Sequence, residues 1–136
     1  METQCTITVR TYECDSYNHV NNANYLNYLE YARYEFLKDV GFDYDKAFKS
    51  GYGTYISRIE IDYKKPAFTD DVLVIKTKPV KMGVVSGTLS QEIWRAKPQG
   101  FAEDLIIQAK VTWAFVDSKG TPSKIPPEFN VSGFKP

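Results

Sequence analysis

The chain has 136 residues, the length of one domain, and its 17 basic residues balance its 17 acidic ones. Zero net charge excludes the global positive field that attracts nucleic acid or an anionic membrane. The 2 cysteines are too few for a disulfide framework or a zinc site. No apolar run resembles a signal peptide or a bilayer span. We therefore expect a single domain, residues 1–136, in the cytoplasm, with no nucleic-acid or membrane partner.

The predicted elements begin with a short β-prone run, Thr6–Tyr12, rich in Thr, Ile and Val. A polar segment, Glu13–Asn24, follows it, and its Asn residues favour turns and caps. From Ala23 to Val40, apolar residues recur at three- and four-residue steps and predict one amphipathic helix. This stripe consists of Tyr25, Leu29, Ala32, Phe36 and Val40. Asn22 or Asn24 is placed to cap the helix start, and Gly41 its end.

The remainder of the chain predicts four strands, Tyr55–Tyr63, Val72–Val80, Val84–Arg95 and Phe101–Val116. The first has one mainly apolar face made of Tyr55, Ser57, Ile59, Ile61 and Tyr63; the last has another made of Leu105, Ile107, Ala109, Val111, Trp113 and Phe115. Turn signals lie at Met82-Gly83 and at residues 97–100. Short connections favour an antiparallel meander against the helix, an α+β fold. The outer face is expected to carry Ile56, Ile106 and Val116, with some sheet surface or edge buried between subunits.

The polar segment before the helix contains the candidate chemistry. By residue type alone, Asp15 is more often a turn residue and a lone His19 more often a structural one. The position of Asp15 adds a functional argument, because the first N–H groups of a helix have no partner within it. Such groups stabilise a carbonyl oxygen that gains negative charge, while a nearby carboxylate activates water or attacks directly. Base and oxyanion site together are the minimum apparatus for acyl transfer.

A specific run of residues extends this argument. The run Asp15-x-x-x-His19-Val20-Asn21-Asn22-Ala23-x-Tyr25, continuing through Tyr28, Glu30, Ala32 and Arg33, resembles the hot-dog-fold acyl-CoA thioesterases related to 4-hydroxybenzoyl-CoA thioesterase. The phrases IEIDYKKPAFTDD and VTWAFVDSKGTPSKIP are similar to that family's second strand and final strand, so the likeness covers nearly the whole chain. The resemblance implies a five-stranded antiparallel sheet wrapped around one long central helix. This architecture agrees with the element order given above.

The resemblance also implies an activity, the hydrolysis of acyl-CoA to a free acid and CoA without a metal or organic cofactor. Asp15 is then the catalytic carboxylate, as general base or nucleophile, and the backbone N–H of Asn22 polarises the thioester carbonyl. Many relatives carry Gly where this chain has Asn18-His19. The HVNN form also resembles acyl-ACP thioesterases, in which an Asp, an Asn and a His act together. Here Tyr17 occupies the position of that Asn, so His19 has either an auxiliary catalytic role or a structural one.

Further substrate contacts are expected from five residues, Tyr25, Ser57, Arg58, Lys81 and Ser86. Tyr25 either lines the acyl pocket or packs in the core. The two serines place small polar groups on strands, where they can face the thioester, and the two cations are candidates for the CoA phosphates. Glu30 and Arg33, three apart on the helix, fit an ion pair, with Glu30 as a minor alternative base. Cys14 has no base partner at a suitable spacing and is expected to pack.

The family pairs two sheets edge to edge into a dimer, often assembles into tetramers, and places its active sites at the dimer interface. We therefore expect a homo-oligomer, at least a dimer and by this resemblance a homotetramer. Two other functions stay open: an acyl-ACP thioesterase, and a non-catalytic acyl-CoA-binding module. A hot-dog dehydratase fits less well, because its His and carboxylate pair belongs to a different local motif. The sequence does not specify the acyl chain.

Overall fold

The computed structural model of the chain describes residues 1–97 and 104–136. Its five strands are β1 (Thr3–Thr8), β2 (Gly53–Tyr63), β3 (Val72–Met82), β4 (Ser86–Arg95) and β5 (Asp104–Val116). Its two helices are α1 (Asn24–Asp39) and α2 (Tyr44–Lys49), and short 3-10 turns occupy Thr11–Glu13 and Ser132–Phe134. All strand pairs are antiparallel, so the predicted α+β class with one long helix on one sheet is confirmed. No helix within the described ranges is long and apolar enough to cross a membrane.

The strand order β1-β3-β4-β5-β2 corrects the predicted meander. β3, β4 and β5 are neighbours in sequence and in the sheet, but β2 pairs with β5 instead of β3. The connection from β2 to β3, residues 64–71, contains Pro66 and is too long for a tight turn. It crosses the end of the sheet, where the Lys64 N–H donates to the Ile106 carbonyl at 2.8 Å. β2 is therefore left as an edge strand.

The long helix forms where the apolar stripe predicts it. Tyr25, Leu29, Ala32 and Phe36 are all buried, as is Tyr28 one position aside. Val40 lies just beyond the last helical residue.

Both ends of α1 were predicted from capping residues, and one prediction is confirmed. Gly41 has a φ of 79°, its N–H donates to the Lys38 carbonyl at 3.1 Å, and the Phe42 N–H donates to the Leu37 carbonyl at 2.9 Å. This pair of bonds is a Schellman motif. The start is different, because neither Asn22 nor Asn24 caps it. The Asn21 side chain instead accepts from the Ala23 N–H at 2.9 Å.

A β-bulge in β2 changes the faces that were predicted for this strand. The register with β5 shifts between Ile56 and Arg58. Beyond the bulge the inner face carries the predicted Ile59, Ile61 and Tyr63, opposite Val111, Ala109 and Ile107. Before it, the inner positions are Thr54 and Ile56, opposite Phe115 and Trp113. Tyr55 and Ser57 leave the predicted face, because one extra residue reverses the alternation.

Three further expectations need correction. The first strand ends at Thr8 instead of Tyr12, because the chain turns into the 3-10 segment closed by Arg10 and Glu13. Ile106 and Val116 are only 0% and 3% exposed, so they are buried within the chain and need no subunit to cover them.

The second helix, α2, was missed. It begins at an Asp43 cap that accepts from the Lys46 N–H at 3.0 Å, and it buries Ala47. Six residues are too few for a hydrophobic period to stand out.

The other strands follow prediction within a few residues, and the inner face of β5 is buried from Ile107 to Phe115 as predicted. The predicted start of that strand at Phe101, and the turn signal at residues 98–100, lie outside the described residues.

Gly87 on β4 gives a stability prediction, because Trp113 of β5 packs directly over it. A Cβ at Gly87 would lie 2.9 Å from Cζ2 of Trp113 and 3.1 Å from the Lys81 carbonyl oxygen. The indole itself packs against Phe134, with ring centroids 5.3 Å apart, and has little room to move. Gly87→Ala is therefore expected to lower the free energy of unfolding by about 1–3 kcal/mol, as overpacking does.

Urea denaturation of the wild type and the variant measures this change. Gly53→Ala is the matched control, since its Cβ would meet only Val116 at 4.0 Å. If the two alanine variants are equally stable, the packing of Trp113 on Gly87 is not tight.

Candidate active site

Asp15 lies in a tight turn between β1 and α1. Cys14 and Val20 form an antiparallel bridge, and the Asp15 N–H donates to the His19 carbonyl at 2.9 Å. Asn18 turns the chain with a φ of 66°, a conformation that Asn tolerates better than most residues. Oδ1 of Asp15 accepts from the Tyr17 N–H at 2.9 Å, and no described residue donates to Oδ2. One carboxylate oxygen is therefore held and the other is free to react.

The His19 ring lies beside this carboxylate without a hydrogen bond to it. Its Nδ1 is 3.9 Å from Oδ1 of Asp15 and 3.2 Å from the Val20 carbonyl oxygen. The ring stacks on Tyr17 at an interplanar angle of 13°, and the His19 backbone bridges to Phe68 in the β2–β3 connection. A separation of 3.9 Å permits an electrostatic contact when the imidazole is protonated, but exceeds hydrogen-bond range. The two predicted roles of His19 both fit this geometry.

Asn22 occupies the expected position at the start of α1. The residue is exposed, and its carbonyl accepts from the Tyr63 hydroxyl at 3.3 Å. Its backbone N–H donates to no residue in the described part of the chain, whereas the Ala23 and Asn24 N–H groups both bond to Asn21. A free N–H at the positive end of a helix is the donor that a developing oxyanion requires.

A buried carboxylate that the sequence did not single out holds both ends of this loop. Glu13 is 6% exposed, and its Oε1 accepts from the Arg10 N–H at 2.8 Å and from the Tyr28 hydroxyl at 2.9 Å. Its Oε2 accepts from the Arg10 guanidinium at 2.6 Å and 3.1 Å. Its backbone carbonyl accepts from the Asn21 N–H and from Nδ2 of Asn24, each at 2.9 Å. Glu13 therefore ties the loop that carries Asp15 to the start of α1.

These contacts set the charge state of Glu13. Burial by itself raises the pKa of this carboxyl, but the hydrogen bonds from Arg10 and Tyr28 outweigh burial and hold its pKa below the ordinary value. The spacing of Arg10 and Glu13 was the available signal, since residues three apart can close a turn reciprocally. Only the fold shows that Tyr28 completes the network.

The other predicted contacts fall into two places. Tyr25 is 4% exposed, and its hydroxyl accepts from the Ala67 N–H at 3.1 Å, so it packs in the core and braces the β2–β3 connection.

Arg58 and Lys81 line one cleft on the outer face of the sheet, together with Lys110. Ser57 donates to the Thr112 carbonyl at 3.3 Å. Ser86 begins β4 opposite Ala114. Within a single chain the cleft and the Asp15 turn are separate.

Three remaining residues are placed as follows. Cys14 lies 3.2 Å from the Thr69 hydroxyl in a half-buried contact, in agreement with a packing role. Arg33 donates to Oε1 of Gln91 at 3.0 Å, and the ion pair that was expected between Arg33 and Glu30 is absent among the described residues. Across the described ranges, no group of three or more His, Cys, Asp or Glu side chains is placed to hold a metal ion.

Comparison with known protein families matches residues 9–131 to the thioesterase-like superfamily. The chain belongs to this superfamily. The long-chain acyl-CoA thioesterase FadM of Escherichia coli (strain K12) is 36% identical over 120 residues, which cover 88% of this chain and 85% of that protein.

Solved structures extend the likeness to the fold. The probable thioesterase YbaW of Escherichia coli is 31% identical, with a TM-score of 0.77 over 93% of this chain and 92% of that one. The 4-hydroxybenzoyl-CoA thioesterase of Pseudomonas sp. strain CBS-3 has a TM-score of 0.84 at 21% identity, over 94% of this chain and 96% of that one, and shows the shared fold. The predicted family, the hot-dog fold and the enzyme class, a thioester hydrolase, are confirmed.

Proposed function

We propose that this protein hydrolyses acyl-CoA thioesters to a free carboxylic acid and CoA, with Asp15 as the reactive carboxylate. One observation carries this proposal. Among the described residues, one oxygen of the Asp15 carboxylate accepts no hydrogen bond, and the turn that carries it leads to the Asn22 N–H at the helix start, which has no partner there. Membership of the superfamily supports thioester hydrolysis. The 36% identical relative acts on long-chain acyl-CoA, which makes acyl-CoA the substrate class to test first.

The reaction follows from these groups. The Asn22 N–H and the start of α1 polarise the thioester carbonyl, which lowers the cost of the negative charge on its oxygen. Oδ2 of Asp15 then either removes a proton from water that attacks the carbonyl, or attacks the carbonyl itself. In the second route a mixed anhydride forms, and water opens it to the acid. In both routes the C–S bond breaks and CoA leaves as its thiolate, which takes a proton from the protonated Asp15 in the first route and from solvent water in the second. The proposed chemistry requires no metal or organic cofactor.

The outer cleft is proposed to bind the phosphates of CoA. Arg58, Lys81 and Lys110 line it, and Glu60, at 2.5 Å from Arg58, offsets one of the three positive charges. The excess of positive charge suits a phosphorylated group. Ser57 and Ser86 stay predicted polar contacts of the substrate. If the thioester reacts at Asp15 and the CoA phosphates bind in this cleft, the cleft of one chain must lie near the Asp15 turn of another chain.

A homodimer paired through β2 is proposed to bring these parts together. β2 is an edge strand, and Tyr55, Ile56 and Tyr63 on it are 57%, 43% and 49% exposed. An unpaired edge of 11 residues is a template for a second copy, and a two-fold axis through it pairs the strands antiparallel. A homotetramer in the cytoplasm is the further expectation. Light scattering is expected to give at least twice the chain mass of 15.6 kDa, and a monomer would contradict the dimer.

The function is tested by CoA release from a panel of acyl-CoAs, short, long and aromatic. Release is followed with a thiol reagent, and an enzyme-only blank subtracts the two free cysteines, Cys5 and Cys14. Turnover of any member supports the proposal. Acyl-CoA that binds without release would establish the binding-module alternative. Release from acyl-ACP alone would establish the acyl-ACP thioesterase alternative.

A further inference from the structure

The β2–β3 connection lies directly against the turn that carries Asp15. The Val20 N–H donates to the Ala67 carbonyl at 2.9 Å, and the His19 backbone forms an antiparallel bridge to Phe68. On the other side of the turn, the Asp15 N–H donates to the His19 carbonyl at 2.9 Å. Ala67 is itself 0% exposed, so this contact is shielded from water. A shift of the connection would therefore also shift the Asp15 turn.

Arg95, the last residue of β4, donates to this connection at two points from one nitrogen. Its Nη1 donates to the Pro66 carbonyl at 2.9 Å and to Oδ2 of Asp71 at 3.0 Å. The same Oδ2 accepts from the Phe68 N–H at 2.8 Å, and the Asp71 N–H donates to the Phe68 carbonyl at 3.0 Å. The guanidinium thus bonds to the connection on both sides of Ala67 and Phe68, the two residues that contact the Asp15 turn.

The other arm of the guanidinium is fixed by the sheet. Nη2 of Arg95 donates to Oδ2 of Asp104, the first residue of β5, at 3.0 Å. Both side chains are only 20% exposed, whereas Lys65 and Lys97, which also pair with Asp104, are 57% and 42% exposed. A planar guanidinium that is bonded on two sides has a defined orientation, which a single ammonium charge does not. Arg95 therefore joins the rigid end of the sheet to the connection.

We infer that Arg95 is a positioning residue for the reaction, because it holds the connection that contacts both halves of the reactive centre. One half is the turn with Asp15. The other is α1, which begins beside Asn22 and whose Tyr25 hydroxyl accepts from the Ala67 N–H at 3.1 Å. A misplacement of about 1 Å between reacting groups can lower a rate by about a hundredfold. The inference rests on the proposed function for its kinetic consequence, but not for its structural one.

Hydrogen exchange tests the structural consequence without turnover. Arg95→Met keeps a long unbranched side chain and removes the donors. In this variant the Val20 N–H is expected to exchange at least about tenfold faster relative to the hydrogen-bonded Phe115 N–H near the far end of β5. The reason is that the opening is local to the connection and the Asp15 turn. An equal change at both amides would overturn the inference, since a general loss of stability affects them alike.

Two further variants make this test specific. Lys97→Met is the matched control, because Lys97 is two residues from Arg95 but its ammonium pairs with Asp104, at 3.1 Å, and not with the connection. It is expected to leave the ratio of the two exchange rates unchanged. Asp71→Asn approaches the same bonds from the other side, and its amide oxygen can still accept from the Phe68 N–H. It is expected to raise the ratio, so the inference does not depend on the folding of one variant.

The kinetic consequence is measured as CoA release from an acyl-CoA that the wild type hydrolyses, well below the unfolding midpoint. Arg95→Met is expected to lower kcat at least about tenfold and to change KM little, because a displaced Asp15 affects the reaction step and not the binding of the substrate. A raised KM with unchanged kcat would overturn the positioning role. If the wild type hydrolyses no acyl-CoA, the proposed function fails, and the hydrogen-exchange result still decides whether Arg95 holds the Asp15 turn.

Discussion

Asp15→Asn is expected to lower kcat for the best acyl-CoA substrate by at least about a hundredfold, the loss that follows removal of a positioned acid–base group. An amide neither accepts a proton from water at neutral pH nor attacks a thioester. The substitution preserves the fold of the turn, because Asn keeps the oxygen that accepts from the Tyr17 N–H at 2.9 Å. KM is expected to change much less than kcat, since the role proposed for Asp15 is at the reacting carbonyl. Steady-state CoA release measures both constants.

Asp117 provides a matched control for this variant. Its Oδ1 accepts from the Lys119 N–H at 2.9 Å, the same contact two residues on that Asp15 makes with Tyr17. Asp117→Asn therefore tests the same chemical change in the same kind of turn, away from the α1 start, and is expected to leave kcat unchanged. If Asp15→Asn keeps full activity as well, Asp15 is a turn residue and another group activates the water.

Features that depend on residues close in sequence were predictable. The helix was predictable from its stripe of apolar residues, and its end from Gly41. The apolar face and the C-cap of a helix are both formed by residues that lie close together in sequence. The turn before it followed from its polar composition, and so did the position of Asp15 in this turn and of Asn22 just before the helix. The three strands β3, β4 and β5 followed from alternation and turn signals. All of these are local properties of the chain.

Features that depend on distant residues were not predictable from one sequence. The order of the strands in the sequence predicts that β2 pairs with β3. In the structure β2 pairs with β5, because tertiary packing determines the pairing. One extra residue at the β2 bulge reversed the faces of Tyr55 and Ser57, and alternation alone does not reveal where a bulge lies. Gln91 lies in β4, within the predicted strand Val84–Arg95. Its bond to Arg33, 58 positions away, appears only when α1 and β4 are packed together.

The role of Glu13 is visible only in the fold, where Arg10 and Tyr28 both donate to its carboxylate. Glu13→Gln is expected to lower the free energy of unfolding at neutral pH by about 1.5–3 kcal/mol, the range of hydrogen bonds to a charged group. The amide retains one acceptor oxygen, but its NH₂ faces donors from Arg10 and Tyr28. Urea denaturation at neutral pH measures the loss. Glu35→Gln is the matched control, since Glu35 also pairs with a cation three residues away, Lys38, at the surface, and is expected to cost less than about 1 kcal/mol.

The difference in free energy of unfolding between wild type and Glu13→Gln is expected to depend on pH, because the Glu13 carboxylate causes it. The pKa of Glu13 is lowered in the folded chain, so the unfolded chain binds a proton first as the pH falls. The stabilisation is therefore fully present above the unfolded pKa of about 4.3, and is lost as the pH falls through the folded pKa. Glu13→Gln has no proton to gain at this position. The stability gap between wild type and variant is thus expected to be constant from about pH 7 to about pH 5, and to narrow below it.

The same measurement tests whether the hydrogen bonds to Glu13 stabilise the part of the fold that carries Asp15. Tyr28→Phe removes one of the donors to Glu13 and leaves Arg10 in place, so it is expected to narrow the pH-dependent gap only in part. If the gap between wild type and Glu13→Gln stays constant down to about pH 3, Glu13 titrates alike in the folded and unfolded chains. The hydrogen bonds from Arg10 and Tyr28 would then contribute no charge stabilisation, and the turn that carries Asp15 would depend on its backbone contacts alone.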